Sequence, residues 1–251
     1  MPPKITIFDL DGTLTESKQP MTREMGEALK KLLDKMPVAV MSGADFPQFE
    51  KQFLPYLPQE SNLQNLFLFP TSAAECLSFK KDRWVIEYDH LFRGDEKIRI
   101  YHALDRALEK THLVDDIPAF GERIEDRGEQ ITFSALGQDA PLALKKAWDP
   151  DQSKREIIVS KLEKTIPDFE ISIGGATSID ITQKDISKED GIIWLGKRFN
   201  IDPSEMLYVG DALFPGGNDA EVKKTSVQTK QVSGPQETIE VIKKILKTPP
   251  A

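Results

Sequence analysis

Two aspartates, Asp9 and Asp11, stand one residue apart where the short apolar run Ile5-Thr6-Ile7-Phe8 stops. In a strand-like continuation side chains alternate with period two, so both carboxylates point to the same side. Carboxylates that close repel, and one takes up a proton unless a cation sits between them. Oxygen-only ligands favour a hard divalent ion. Mg²⁺ suits best, because it holds few protein ligands and leaves room for phosphate oxygens. A late stretch, "VGDALFPGGND", offers more oxygen ligands: Asp211 directly after an apolar run, and Asn218 or Asp219 after Gly216-Gly217. Ser42, followed by Gly43, ends another apolar run and supplies a hydroxyl and nearby backbone N–H groups for a phosphate oxygen. Lys188, in "ISKED", supplies a point charge beside a phosphoryl group.

These residues need elements that bring them to one place. Four short runs rich in β-branched and aromatic residues read as buried strands: Ile5 to Phe8, Val38 to Met41, Leu66 to Phe69 and Met206 to Val209. Between the first two, Met25, Ala28, Leu29, Leu32 and Leu33 recur at helical spacing after Thr22, a plausible N-cap. Strand, helix, strand at this spacing argues a βαβ unit and a parallel sheet. Strands of such a sheet share one C-terminal edge where ligands bind, so Asp9, Asp11, Ser42 and Asp211 converge there. "PQETIEVIKKILK" predicts a last helix covering the sheet through Ile239, Val241, Ile242 and Ile245.

The middle of the chain reads differently. "RWVIEYDH" predicts a strand, and "DEKIRIYHALDRALEK" and "SKREIIVSKLEKTI" predict two helices. "ERIEDRGEQITFSALG" predicts two strands around an Arg127-Gly128 turn, and "FEISIGGATSIDIT" a returning strand. Two helices on a mainly antiparallel sheet make an α+β unit. The fold class expected is therefore α/β, a Rossmann-like parallel-sheet core over 1–82 and 186–251, with an inserted α+β domain over 83–185. Hinges are expected near 80–85 and 183–188.

Composition narrows the function classes. The chain has 251 residues, a net charge of -8 and no basic cluster, so duplex nucleic acid is not an expected partner. No apolar stretch reaches the roughly 18 residues of a membrane span. The run Ile5 to Phe8 is too short for a signal sequence, so a cytoplasmic location is expected. Cys76, the one cysteine, cannot form an internal disulfide and reads as a small buried hydrophobe.

"DLDGT", "SG" after the second strand and "GDALFPGGND" together resemble the haloacid dehalogenase superfamily of phosphotransferases. That resemblance implies Mg²⁺ as cofactor and Asp9 as a nucleophile that forms an aspartyl-phosphate. It implies Asp11 as general acid/base, and Ser42, Gly43 and Lys188 holding the phosphoryl group. The implied metal set is drawn from Asp9, Asp11, Asp211 and Asn218 or Asp219. The inserted segment is further similar to the cap of eukaryotic-type phosphomannomutases, through "GERIEDRGEQITFSALGQ", "SIGGATSIDI" and "FPGGND". By that likeness Arg127 binds the non-reacting phosphate, Ser178 and Asp180 read sugar hydroxyls, and the site lies between core and cap. The substrate is then a small phosphorylated sugar, and a homodimer through the cap is plausible.

The chain departs from that branch where the mutases carry arginine. Lys18, Gln138 and Lys145 stand at those three places, and by the same likeness Lys18 and Gln138 are expected substrate contacts. Lysine or glutamine does not reproduce a bidentate arginine–phosphate fork, and a mutase must grip both phosphates of a bisphosphate intermediate. The expected outcome is therefore a phosphatase acting on a sugar phosphate. Its alternatives are a hexose-phosphate mutase of the phosphomannomutase type and a non-catalytic phosphosugar-binding protein.

Overall fold

A computed structural model describes residues 2–16, 19–174, 176–184 and 186–248. In chain order the elements are β1 (Ile5–Asp9), α1 (Arg23–Leu33), β2 (Val38–Met41), α2 (Phe46–Gln52), β3 (Leu66–Phe69), β4 (Glu75–Lys80) and β5 (Arg83–Asp89). Then come α3 (Gly94–Thr111), β6 (Ile124–Asp126), β7 (Gln130–Ser134), α4 (Leu142–Trp148), α5 (Ser153–Thr165), β8 (Phe169–Gly174) and β9 (Ser178–Gln183). The chain closes with α6 (Lys188–Phe199), β10 (Met206–Gly210), β11 (Gln228–Gln231) and α7 (Pro235–Lys247). Two compact units result, Met1–Asp89 with Ser187–Ala251, and His90–Ile186.

The first unit is built on a seven-stranded sheet in the order β11-β10-β1-β2-β3-β4-β5. Its first five strands run parallel, while β4 and β5 add antiparallel. Period-two alternation splits the strand residues between two cores. Phe8, Val38, Val40, Leu66, Leu68 and Val209 pack with α1 and α7. Ile5, Ile7, Ala39, Met41, Phe67, Phe69, Met206 and Tyr208 pack with Ile192 and Leu195 of α6. Thr22 caps α1 by accepting from Met25 N at 3.2 Å, as the sequence predicts. The helix buries Met25, Leu29, Leu32 and Leu33 against the sheet, each contributing about 1.5–3 kcal/mol of transfer free energy.

In the second unit a four-stranded antiparallel sheet, ordered β6-β7-β9-β8, has two unlike faces. Ile131, Phe133, Ile171, Ile179 and Ile181 cover one face and pack with Ile100, Ala103, Leu104 and Ala107 of α3 and Ile158 and Leu162 of α5. Glu125, Gln130, Thr132, Ser134, Ser178 and Asp180 alternate onto the other.

Several expectations need correcting. The inserted unit begins at 90 rather than 83, because β5 pairs with β4 in the larger sheet and half-buries Trp84 against the α1 core. "FEISIGGATSIDIT" is a hairpin, β8 and β9, rather than one strand. Four elements were unread, β4, β11, α2 and α4, and α6 was read only at its start. For β11 the reason is plain: "QTKQ" is an edge strand with no apolar signal. For α2 and α4 it is length, since seven residues give too little periodicity. Cys76 is buried, as expected. No helix of the described residues is long and apolar enough to cross a membrane.

Candidate active site

Parity along the strands assembles the first unit's polar cluster. Asp9 falls in step with Ile5 and Ile7, so it faces the α6 side of the sheet, as does Tyr208, which stands opposite Ile7 in register. Lys188 is the first residue of α6. The turn before it is fixed by a capping box, in which Glu189 N donates to Ser187 Oγ and Ser187 N to Asp190 Oδ2. Lys188 Nζ then reaches Asp9 Oδ1 and Asp219 Oδ1, both at 2.6 Å, and Tyr208 OH at 3.2 Å. Asp9, Lys188 and Asp219 are all almost fully buried.

Those charges do not balance. Carboxylate oxygens of Asp9, Asp211 and Asp219 lie within 4.8 Å of one another, and Lys188 is the cation bonded among them. Burial pushes the Asp9 carboxyl up to about 7; Lys188 opposes that shift, and Asp219 adds to it. Burial and then Asp219 raise Asp211 too. Burial pulls the Lys188 ammonium down, but Asp9 and Asp219 outweigh it and hold its pKa above the usual value. Asp9 Oδ2 is buried without a hydrogen-bond partner. An orphaned carboxylate oxygen amid excess negative charge fits a hard divalent cation. Asp219 is the least available of the three. Its Oδ1 takes Lys188 and Tyr208, and its Oδ2 takes Ala212 N at 3.2 Å.

The loop after β1 does not continue as a strand. Gly12 takes a left-handed φ of +84°, and Leu14 N and Thr15 N fold back onto Leu10 O. A Cβ at Gly12 would fall 2.5 Å from Asp211 Oδ2, so only glycine allows this approach. Thr13 Oγ1 donates to Asp211 Oδ1 at 3.4 Å. The turn separates the two aspartates: Asp11 stands outside the three-carboxylate group. Gln52 Nε2 donates to Asp11 Oδ1 at 2.9 Å and to Thr15 Oγ1 at 2.6 Å, and Gln48 Nε2 donates to Gln52 Oε1 at 2.7 Å. Sequence reading missed both glutamines because it missed α2; their i,i+4 spacing was the available signal. It missed Tyr208 as well, although a tyrosine buried in a strand must find a partner for its hydroxyl.

Ser42 is clamped by its backbone. Its N–H donates to Phe69 O, its carbonyl accepts from Ser72 N, and its Oγ accepts from Ala44 N at 3.1 Å. Ser72 belongs to a left-handed turn over Thr71, Ser72 and Ala73, with φ of 48°, 57° and 72°. Three such non-glycine residues in a row carry a backbone cost of about 1–3 kcal/mol each. Gly43 and Asn218 are exposed at the ends of their turns.

In the second unit Arg127, Ser178 and Asp180 share the polar sheet face. Thr132 Oγ1 donates to Asp180 Oδ1 at 2.7 Å, Ser134 and Ser178 hydroxyls bond at 2.9 Å, and Arg127 Nη2 donates to Glu125 Oε2 at 2.8 Å. Burial raises the Asp180 carboxyl. Gln138 gives its carbonyl to Lys145 Nζ at 2.8 Å, and its Nε2 is buried without a partner. Arg123 is spent on the carbonyls of Ala135, Val114 and Ile117. Arg155 is buried against Asp149 at 2.8 Å and donates to Gly174 O. Lys18 lies outside the described residues.

The family model described as "Eukaryotic phosphomannomutase" matches residues 25–248. A spinach (Spinacia oleracea) phosphomannomutase is 26% identical, over 98% of this chain and 97% of its own. Among solved structures, a C-terminally truncated IMP-nucleotidase of Plasmodium falciparum superposes with a TM-score of 0.74 at 18% identity, covering 97% of this chain and 71% of that one. A haloacid dehalogenase-like hydrolase from Bacteroides thetaiotaomicron gives 0.62 at 14% identity, covering 97% and 99%. At such identities the structures speak for the fold alone. The match across nearly the whole sequence goes further: this chain belongs to the eukaryotic phosphomannomutase family and is an enzyme, with a fold like that of haloacid dehalogenase-like hydrolases.

Proposed function

We propose that the protein transfers the phosphoryl group of a sugar phosphate to water through an aspartyl-phosphate on Asp9, with Mg²⁺ as cofactor. The observation that carries this reading is Asp9 Oδ2, a buried carboxylate oxygen without a bond, beside a lysine and a second half-buried aspartate. Asp9 and Asp211 would hold the metal, with Asn218 and the Asp11 segment as further candidates and Asp219 anchoring Lys188. When bound, the ion offsets the negative charge of nucleophile and phosphate.

In the first step Asp9 attacks phosphorus, the bond from phosphorus to the sugar oxygen breaks, and Asp11 gives that oxygen a proton. In the second, Asp11 takes a proton from water, the water oxygen attacks phosphorus, and inorganic phosphate leaves Asp9 regenerated. A carboxylate nucleophile divides one difficult transfer into two easier ones. Ser42 holds a phosphoryl oxygen, and Lys188 supplies positive charge beside the group. From the second unit we assign Arg127, Ser178 and Asp180 to the substrate.

Hydrolysis is favoured over isomerisation by the fate of the arginines. Arg123 and Arg155 could have replaced the forks missing at 18, 138 and 145, but both are committed to backbone carbonyls and to Asp149. Arg127 also pairs with Glu125, but its Nε is buried without a partner, which leaves it a donor for a second phosphate. The mutase remains the second reading, because the matching relatives are named phosphomannomutases along almost their full length. The deciding experiment incubates hexose 1- and 6-phosphates with Mg²⁺, with and without a hexose 1,6-bisphosphate. Released phosphate and interconversion of the two monophosphates are both measured. Phosphate release as the main product supports the hydrolase; interconversion that depends on the bisphosphate supports the mutase. Asp9→Asn abolishes both, and wild-type turnover in that variant would remove the nucleophile assignment.

A further inference from the structure

We propose that Tyr208 is a positioning residue: its hydroxyl completes a clamp on Lys188 that decides which oxygen of Asp9 is left to react. The inference rests on the phosphoryl-transfer reading above, and adds a residue that neither the family match nor the motifs single out.

Three observations carry it. First, Tyr208 is fully buried in a strand whose other apolar positions are Met206, Leu207 and Val209. Packing alone is met by phenylalanine, and a buried hydroxyl without partners costs about 1–3 kcal/mol, so its bonds need an explanation. Second, the phenol has one proton and a fixed use for it. Asp219 Oδ1, at 2.6 Å, can only accept, so the hydroxyl donates there. Its oxygen is then free to accept from Lys188 Nζ at 3.2 Å. Third, an ammonium has three N–H groups, and here each has a protein acceptor: Asp9 Oδ1, Asp219 Oδ1 and Tyr208 OH.

Lys188 is a flexible side chain carrying a point charge. With two acceptors it can rotate about its last bond and tilt toward either oxygen of Asp9. The third acceptor removes that freedom. Oδ1 of Asp9 stays bonded to the ammonium, and Oδ2 stays the oxygen without a partner. Asp219 is held in turn, since it gains a second donor on Oδ1 while Ala212 N holds Oδ2. Tyr208 therefore acts through Lys188 and Asp219 and touches no reacting atom.

The test uses the full chain with Tyr208→Phe, which deletes one oxygen and keeps the ring. We expect kcat to fall about 10–100-fold, the scale of a misplacement near an ångström. KM is expected to change by less than about threefold, because the loss is confined to the transition state. The second readout needs no turnover. In metal-free protein labelled with ¹⁵N-lysine, the Lys188 ammonium protons should exchange with water about tenfold faster in the variant, as one lost buried hydrogen bond implies. Wild-type kcat and wild-type exchange in Tyr208→Phe overturn the proposal. So does a loss of activity that tracks thermal stability and is recovered well below the melting midpoint. Should the variant not fold, the wild-type protein decides: a Lys188 ammonium exchanging as quickly as surface lysines overturns the clamp. Asp9→Asn separates the two layers. If it is inactive while Tyr208→Phe is normal, only the Tyr208 proposal fails; if it is fully active, the aspartyl-phosphate reading fails first.

Discussion

A carboxyl held near 7 by burial binds its proton more tightly in the folded chain than in the unfolded one. For metal-free protein, the Asp9 contribution to stability is therefore fullest below the ordinary aspartate value of 3.8 and is lost as pH rises through about 7. Cation binding removes the penalty that deprotonation creates. Thermal midpoints measured with and without Mg²⁺ should consequently differ more at pH 8 than at pH 5. In Asp9→Asn the pH dependence of that difference should shrink. An equal Mg²⁺ shift at both pH values would show that Asp9 does not feel the ion. Most residues of this cluster were legible in the sequence, because Asp9, Ser42 and Asp211 follow apolar runs that a parallel sheet brings to one edge, and Lys188 stands at a helix start. Tyr208 and Gln52 were not, because their partners are brought together by register and helix phase rather than by nearness along the chain.

Elements decide how those residues meet. The turn after β1 closes on itself through Gly12, whose missing side chain makes room for the Asp211 carboxylate. Gly12→Ala should destabilise the fold by about 1–3 kcal/mol, from a left-handed φ on a side-chain-bearing residue. It should also cut activity disproportionately, because the new methyl displaces Asp211. A denaturation curve alongside kcat checks both, and an unchanged activity would detach this turn from the site. The short α2 has a comparable duty. Its last residue, Gln52, joins Asp11 to Thr15, so Gln52→Leu should lower kcat about tenfold while costing only about 1 kcal/mol of stability. An effect on stability alone would make Gln52 merely structural. Long, strongly periodic elements such as α1 and α7 declared themselves in the sequence. The seven-residue α2 and α4 did not, and Asp11 was expected to align with Asp9 only because a strand was extended across what is a turn.

At the level of the whole molecule the two units differ in chemistry: one gathers carboxylates and a lysine, and the other carries hydroxyls, amides and an arginine on a sheet face. Asp180 is held there by Thr132, and Arg127 is balanced by Glu125. Arg127→Ala should raise KM for sugar phosphates far more than for a small aryl phosphate, which has no second group to read. Equal losses on both substrates would remove Arg127 from specificity. The division into a parallel-sheet unit and an α+β insertion was readable from run lengths and helical spacing. The exact boundary was not, since β5 has the half-buried pattern of an edge strand and could have belonged to either sheet.

The strand order has a consequence for synthesis. β1 sits between β2 and β10, pairing Ile7 with Ala39 on one side and Tyr208 on the other. One flank is made at once, but the other leaves the ribosome only after the entire insertion. Until then the nascent chain carries an exposed, apolar strand edge, a template for unwanted pairing. The insertion, contiguous from His90 to Ile186 and with a core of its own, is free to fold while that edge waits. Chaperone demand during translation should thus fall on the first unit, although it begins the chain.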